Sequence, residues 1–318
     1  MLASFRPTRR DLRDLLVLAA PMVATQVGLM LLGTIDTITV GHFSNVELAG
    51  ATLGNLYVAG LMMFGMGTLW ALDPIIAQAF GAREDESIAR GLQRGLLLAT
   101  GLGVVLGLLC IPAVPVFHAL HQPAEAIPSA ARFAWISAPS LLPIFWFIVL
   151  RQSLQSMRIT TPTLLAVLAA NVLNLGLDLV LVFGHLGAPA MGAAGAAIAS
   201  AVARLVMVVL LVVLAWPALA PYLARLRREA LEPGPLFGIL RLGLPIGVTY
   251  FAEVSAFGLI SLLVARFGAA LIRGFRGLTV KEEELRSNKV PVQAIVGSVD
   301  PLRDGVVLPG AAILAGDT

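Results

Sequence analysis

The chain has 318 residues, of which 58% are hydrophobic and only 13% charged. A soluble domain is about 45–50% apolar and about 25% charged, so this composition excludes an ordinary water-soluble globule and points to lipid as the solvent. The formal charge of +3 does not indicate nucleic acid, because the arginines sit in short connectors between apolar runs, as they do in membrane proteins.

A bilayer core about 30 Å thick is crossed by roughly 20 apolar residues in a helix. Seven runs of that kind are predicted, at roughly 15–40, 48–80, 92–112, 132–156, 163–184, 191–216 and 236–266. The fold class read from them is an all-α membrane protein, a bundle of six helices followed by a seventh. The first span contains Pro21 and, toward its far end, Gly33-Thr-Ile-Asp36-Thr. No small-residue cleavage site interrupts it, so it does not read as a removable signal. The second span is long enough to project beyond the bilayer or tilt. It holds Asn55 and Gln78, read as polar groups packed between helices, and Asp73-Pro74, where a bend is expected. Cys110, the single cysteine, ends the third span and reads as a small buried apolar residue. Pro139 falls in the fourth. The fifth carries Asn171, Asn174 and Asp178, spaced so that all three share one helical face. The sixth contains Arg204 and the seventh Glu253.

The connectors alternate in charge, with Arg132, at the start of span four, as the exception. Arg6, Arg9, Arg10 and Arg13 precede span one; Arg83, Arg90 and Arg94 follow span two; Arg151 and Arg158 follow span four; Arg225, Arg227, Arg228 and Arg241 follow span six. Basic loops stay in the cytoplasm, which places the N-terminus inside and sends odd-numbered spans outward. Small residues four apart, such as Gly50 and Gly54, Gly91 and Gly95, Gly103 and Gly107, and the stretch from Gly192 to Ala197, mark faces where helices can approach closely.

Near Ala270 the character changes. Residues 273–304 hold six Lys or Arg and five Asp or Glu, 11 of the 41 charges of the whole chain. Lys281-Glu-Glu-Glu-Leu-Arg286 reads as a piece of soluble helix and Val290–Gly297 as a buried strand with a turn. The predicted organisation is a cytoplasmic segment (1–14), a six-helix lobe (15–220), a loop and seventh helix (221–268), and a short α/β tail of soluble type (269–318).

Ionisable side chains at lipid depth cost about 2.5–3.5 kcal/mol each on insertion scales, and so are functional candidates. If spans one and five are neighbours, Asp36 and Asp178 form a carboxylate pair with Asn174 on the same face. Burial and like-charge repulsion would make such a pair take up a proton, or Na⁺ through its oxygens. The alternative is that each acid bonds neighbouring helices. Glu253 has no acidic neighbour in its span, and Arg204 is a buried cation that requires a partner. His118 and His121 lack a third ligand, so no metal site is expected. There is no G-x-S-x-G, Walker, H-E-x-x-H or C-x-x-C signature, so neither an enzyme nor an ATP-driven pump is expected.

Five motifs in order complete the picture: Ala20-Pro21-Met22 with Gly33-Thr-Ile-Asp36-Thr; Ile76-Ala-Gln78-Ala-Phe-Gly81-Ala; Asn174-Leu-Gly-Leu-Asp178 running into Val182-Phe-Gly184; Pro189-Ala-Met-Gly192-Ala-Ala-Gly195 through Arg204; and Leu244-Pro245-Ile-Gly247 before Glu253. With these, residues 11 to 268 resemble the multidrug and toxic compound extrusion (MATE) transporters, in particular the NorM-like bacterial branch. The resemblance implies a multi-pass protein of the bacterial inner membrane, a secondary antiporter expelling drugs and organic cations against Na⁺ or H⁺, with no cofactor beyond the coupling ion. It implies that Asp36, Asn174 and Asp178 form the cation cluster of the N-terminal lobe. Glu253 would contribute to a second cation site, Pro21 would bend the first helix, and Arg204 and Gln78 would be structural or gating. Such proteins have twelve helices in two lobes, so the implied antiporter is incomplete here and its C-terminal lobe is missing. The tail from Val290 to Asp300 is similar to a late segment of an α/β-hydrolase, without a nucleophile or a following histidine. The alternatives are a non-functional fusion or frameshift fragment, or a membrane-anchored hydrolase-like protein.

Overall fold

The computed structural model describes residues 9–43, 45–187, 189–253 and 255–256. The chain divides into two units after Ala256. The second unit, and with it the expected strand and hydrolase-like tail, lies outside the described residues.

Ten helices carry the described fold: α1 (Arg9–Phe43), α2 (Asn45–Leu69), α3 (Leu72–Ala82), α4 (Asp85–Leu109), α5 (Ala113–Ala119), α6 (Ile127–Ser137), α7 (Leu141–Ser156), α8 (Thr161–Leu181), α9 (Ala193–Leu223) and α10 (Pro233–Glu253). Seven segments are long and apolar enough to cross a membrane: α1, α2 with α3, α4, α6 with α7, α8, α9 and α10. Their outer faces are apolar, with Val172 on α8 and Val213 on α9 three-quarters and nearly two-thirds exposed. In water that arrangement would be costly; against lipid tails it is neutral.

Two spans are interrupted. The second is not one long tilted helix: it breaks at Trp70–Ala71 and restarts as α3, with Asp73 and Pro74 in the new first turn. Proline is tolerated there because its missing N–H has no helical partner anyway. The fourth passes through a short 3-10 turn, Ala138–Ser140, where Pro139 interrupts the α ladder. Arg151, expected in a connector, lies instead inside α7 and is half-buried. Its Nη1 donates to Gln26 Oε1 on α1 at 3.4 Å.

The small residues do what lipid-phase packing requires. A Cβ at Gly195 would stand 2.6 Å from the carbonyl oxygen of Leu181, so α9 lies directly against the end of α8. Gly54 meets the carbonyl of Ala130 at 2.6 Å in the same sense, seating α2 on α6. Well inside the bundle, α10 crosses α2 where Gly243 and Gly247 abut Thr68, and the ring of Tyr250 meets Trp70 edge-on at 4.3 Å. Asn55 and Gln78 are not packed between helices; both side chains are exposed.

At the end of the bundle that carries the basic connectors, Gln93 of α4 is buried and fully used. Its Nε2 donates to the carbonyls of Tyr222 and Arg225, both at 2.8 Å, and its Oε1 accepts from the Arg227 N–H at 2.9 Å. Ion pairs Arg90–Glu229 and Arg227–Glu86, both 2.9 Å, flank this clasp. The connector between α9 and α10 is thereby bound to the start of α4.

Candidate cation site between spans one, five and six

Helix α1 lies against α8 because Gly28 leaves no side chain between them: a Cβ there would stand 2.6 Å from Val167. Asn171 seals the crossing, its Nδ2 donating to the carbonyls of Gly28 at 2.9 Å and Val167 at 2.8 Å. Both helices run in the same direction from this point. Eight residues on from Gly28, about 12 Å along the axis, α1 presents Asp36, and one and two turns beyond Asn171 α8 presents Asn174 and Asp178. The condition set by the sequence, that spans one and five be neighbours, is met.

The three side chains meet. Asn174 Nδ2 donates to Asp36 Oδ1 at 3.1 Å, and Asp178 lies close enough to Asp36 for the two carboxyl groups to interact. The other oxygen of Asp36 accepts a hydrogen bond from Ser200 Oγ on α9. Asn174 and Asp178 have no solvent exposure. Asp36 is thus held by two neutral donors. Both oxygens of Asp178 and Oδ1 of Asn174 have no donor at all. Buried acceptors are nearly always satisfied, so three of them together form a set of oxygens suited to a proton or a hard cation.

Arg204 lies one turn beyond Ser200 on α9. Its Nη1 donates to Ser140 Oγ at 2.7 Å, and that hydroxyl in turn donates to the Ser137 carbonyl at 2.6 Å, at the 3-10 break of span four. The guanidinium acts on Asp36 through space without an ion pair at 4.0 Å or less among the described residues.

The remaining sequence candidates lie elsewhere. Glu253 is exposed on α10 and shares none of these hydrogen bonds; Gln78 is exposed on α3. Pro21 sits within an unbroken α1, where its carbonyl accepts from Thr25 Oγ1 at 2.7 Å. Sequence reasoning missed Ser200 and Ser140. The available signal was the four-residue spacing of Ser200 and Arg204, which puts both on one face.

A family model described as MatE matches residues 21–180. The chain is 30% identical over 274 residues to "Multidrug resistance protein MdtK" of Edwardsiella ictaluri (strain 93-146), and 31% identical over 271 residues to "Probable multidrug resistance protein NorM" of Bacillus cereus (strain ATCC 10987 / NRS 248). Each alignment covers 83% of this chain and 59% of the relative, so the chain spans about three-fifths of the length of the curated relatives it matches. Among solved structures, the eukaryotic MATE transporter AtDTX14 superposes with a TM-score of 0.72 at 21% identity, over 80% of this chain and 56% of that one. An outward-facing multidrug resistance MATE family transporter gives 0.68 at 22%, over 78% and 55%. At these identities the two structures establish the fold alone. With half of its residues matched by the family model, the chain belongs to the MatE family and is a multi-pass membrane protein.

Proposed function

We propose that this chain forms the cation-coupled lobe of a secondary antiporter that exports drugs and small organic cations in exchange for Na⁺ or H⁺. The observation that carries the reading is the set of donorless oxygens on Asn174 and Asp178 beside Asp36, in a bundle that lipid surrounds. Asn171, one turn earlier on the same face of α8, uses only its Nδ2, which donates to the carbonyls of Gly28 and Val167, and its buried Oδ1 is also without a donor, so the donorless oxygens continue along that face. What sets the cluster apart is that two carboxyl groups, Asp36 and Asp178, interact at lipid depth, and a positive charge is what lets them coexist.

In this reading Asp36, Asn174 and Asp178 bind the coupling ion, and the basic end of the bundle faces the cytoplasm of a bacterial inner membrane. Glu253 supplies an acid to a second cation station on α10. Pro21 bends α1, while Arg204 and Gln78 have structural or gating roles. Alternating access needs two bundles moving about a central site. The partner is therefore a second lobe, following in the same polypeptide or supplied as a separate chain, and the substrate passes between the two. The names of the relatives favour drugs as cargo.

The test is cation binding by the purified chain in lipid nanodiscs, read as ²²Na⁺ retention and as proton release on Na⁺ addition or a pH jump. Wild-type chain is expected to bind and Asp36→Asn and Asp178→Asn to lose binding by at least tenfold. Undiminished binding in both variants would remove the coupling role.

A further inference from the structure

Arg204 is the feature of this cluster that cation binding by itself does not require. It stands one helical turn from Ser200, which holds Asp36, yet its own hydrogen bond goes to Ser140 at 2.7 Å rather than to either acid. Ser140 is fixed in turn by donating to the Ser137 carbonyl at 2.6 Å, on the short 3-10 link where span four is broken. The guanidinium is therefore near enough to act on Asp36 but tied back from the carboxylate oxygens. The charges presented by the surrounding helices are Asp36 from α1, Asp178 from α8 and Arg204 from α9, with Ser140 neutral from span four. Formally these are two negative charges and one positive, a sum of −1.

Two features of this arrangement are chemically selective. A guanidinium stays charged at every physiological pH, so its positive charge is permanent, whereas a buried lysine readily gives up its proton. A bidentate arginine–carboxylate pair would occupy the oxygens that a bound ion needs. Holding the guanidinium on a hydroxyl supplies its charge without using those oxygens.

We propose that Arg204 is a built-in counter-charge that limits the Asp36–Asp178 site to one monovalent cation, with Ser140 as the positioning residue that keeps the guanidinium off the carboxylates. The proposal rests on the cation-coupling reading above and specifies its stoichiometry. With Arg204 present, one H⁺ or Na⁺ brings the cluster to neutrality. Without it, two are needed.

The experiment counts cations bound per chain, with ²²Na⁺ and with protons taken up in a pH jump, for the full chain in nanodiscs. Wild type is expected to bind one and Arg204→Gln two. Ser140→Ala frees the guanidinium to reach Asp36 and is expected to weaken binding about tenfold at unchanged stoichiometry. Helical circular dichroism and gel filtration check that each variant is folded. Should Arg204→Gln fail to fold, Ser140→Ala decides: unaltered affinity there overturns the proposal. One cation in folded Arg204→Gln, or two in wild type, also overturns it and leaves the coupling role of the acids intact. If wild type binds none, the coupling reading itself fails.

Discussion

At the scale of single residues, lipid makes some side chains informative and others silent. A carboxylate in a span stands out because its burial must be compensated; Asp36 and Asp178 were legible for that reason, and Asn174 through its spacing from Asp178. Hydroxyls are silent because a helix can satisfy them locally. Thr25, Thr34, Thr37 and Thr39 of α1 each bond the carbonyl four residues back, and so does Ser153 of α7. Ser200 and Ser140 look the same in sequence, and only the fold distinguishes them. Cys110 is a residue whose surroundings were foreseen. It is buried at the end of α4, with Sγ donating to the Leu106 carbonyl at 3.7 Å, and burial pushes its thiol up to about 11. The thiolate is the reactive form, so at pH 8 roughly one thiol in a thousand is reactive by that chemistry. Maleimide is expected to leave the folded chain unmodified at pH 7–8 and to react on denaturation in SDS, followed by mass spectrometry. The folded chain also holds this proton more tightly than the unfolded one. The associated stability is therefore full below the thiol's ordinary value of 9.0 and is lost as pH rises toward about 11.

At the scale of helices, span number and order were readable because length and apolarity are dictated by bilayer thickness. Internal breaks were less so. In the run from 48 to 80 the bend is expected at Asp73-Pro74, and the helix breaks just before it, at Trp70–Ala71, with Asp73 and Pro74 in the first turn of α3; hydropathy, apolar on both sides, does not give the exact point. Arg151 was grouped with Arg158 in the alternating pattern of basic connectors; its partner Gln26 comes from α1, which no local pattern reveals. The close crossings give a direct contrast. Gly195 has the Leu181 carbonyl 2.6 Å from where a Cβ would stand, while Gly101 has nothing within 4 Å. Overpacking of this kind costs typically about 1–3 kcal/mol, whereas replacing an unobstructed helix glycine by alanine gains about 0.5–1 kcal/mol. Gly195→Ala is expected to lower the thermal unfolding midpoint in detergent by several degrees, and Gly101→Ala to leave it unchanged or raise it. Equal midpoints for the two variants would mean that α8 and α9 do not approach as described.

At the scale of the whole molecule, the alternation of arginines along the chain is matched by a bundle whose basic connectors gather at one end, where Arg90, Arg94 and Arg227 meet Glu229, Glu232 and Glu86. The proposed cytoplasmic orientation of this end rests on the distribution of Arg between loops and is open to measurement. In a Cys110→Ser background, Arg228→Cys is expected to react with an impermeant maleimide only in inside-out vesicles, and Glu125→Cys only in right-side-out ones. The reverse pattern would invert the orientation while leaving the bundle as described.

The Gln93 clasp has a consequence for biosynthesis. All the groups it joins lie between Gln93 and Arg227, so every partner needed to moor the strap that leads to the seventh helix is made before that helix is. A clasp that closes at that stage anchors the strap at one place on the bundle before the next helix is inserted. Whatever is threaded into the bilayer afterwards starts from a fixed point rather than from a loose tether.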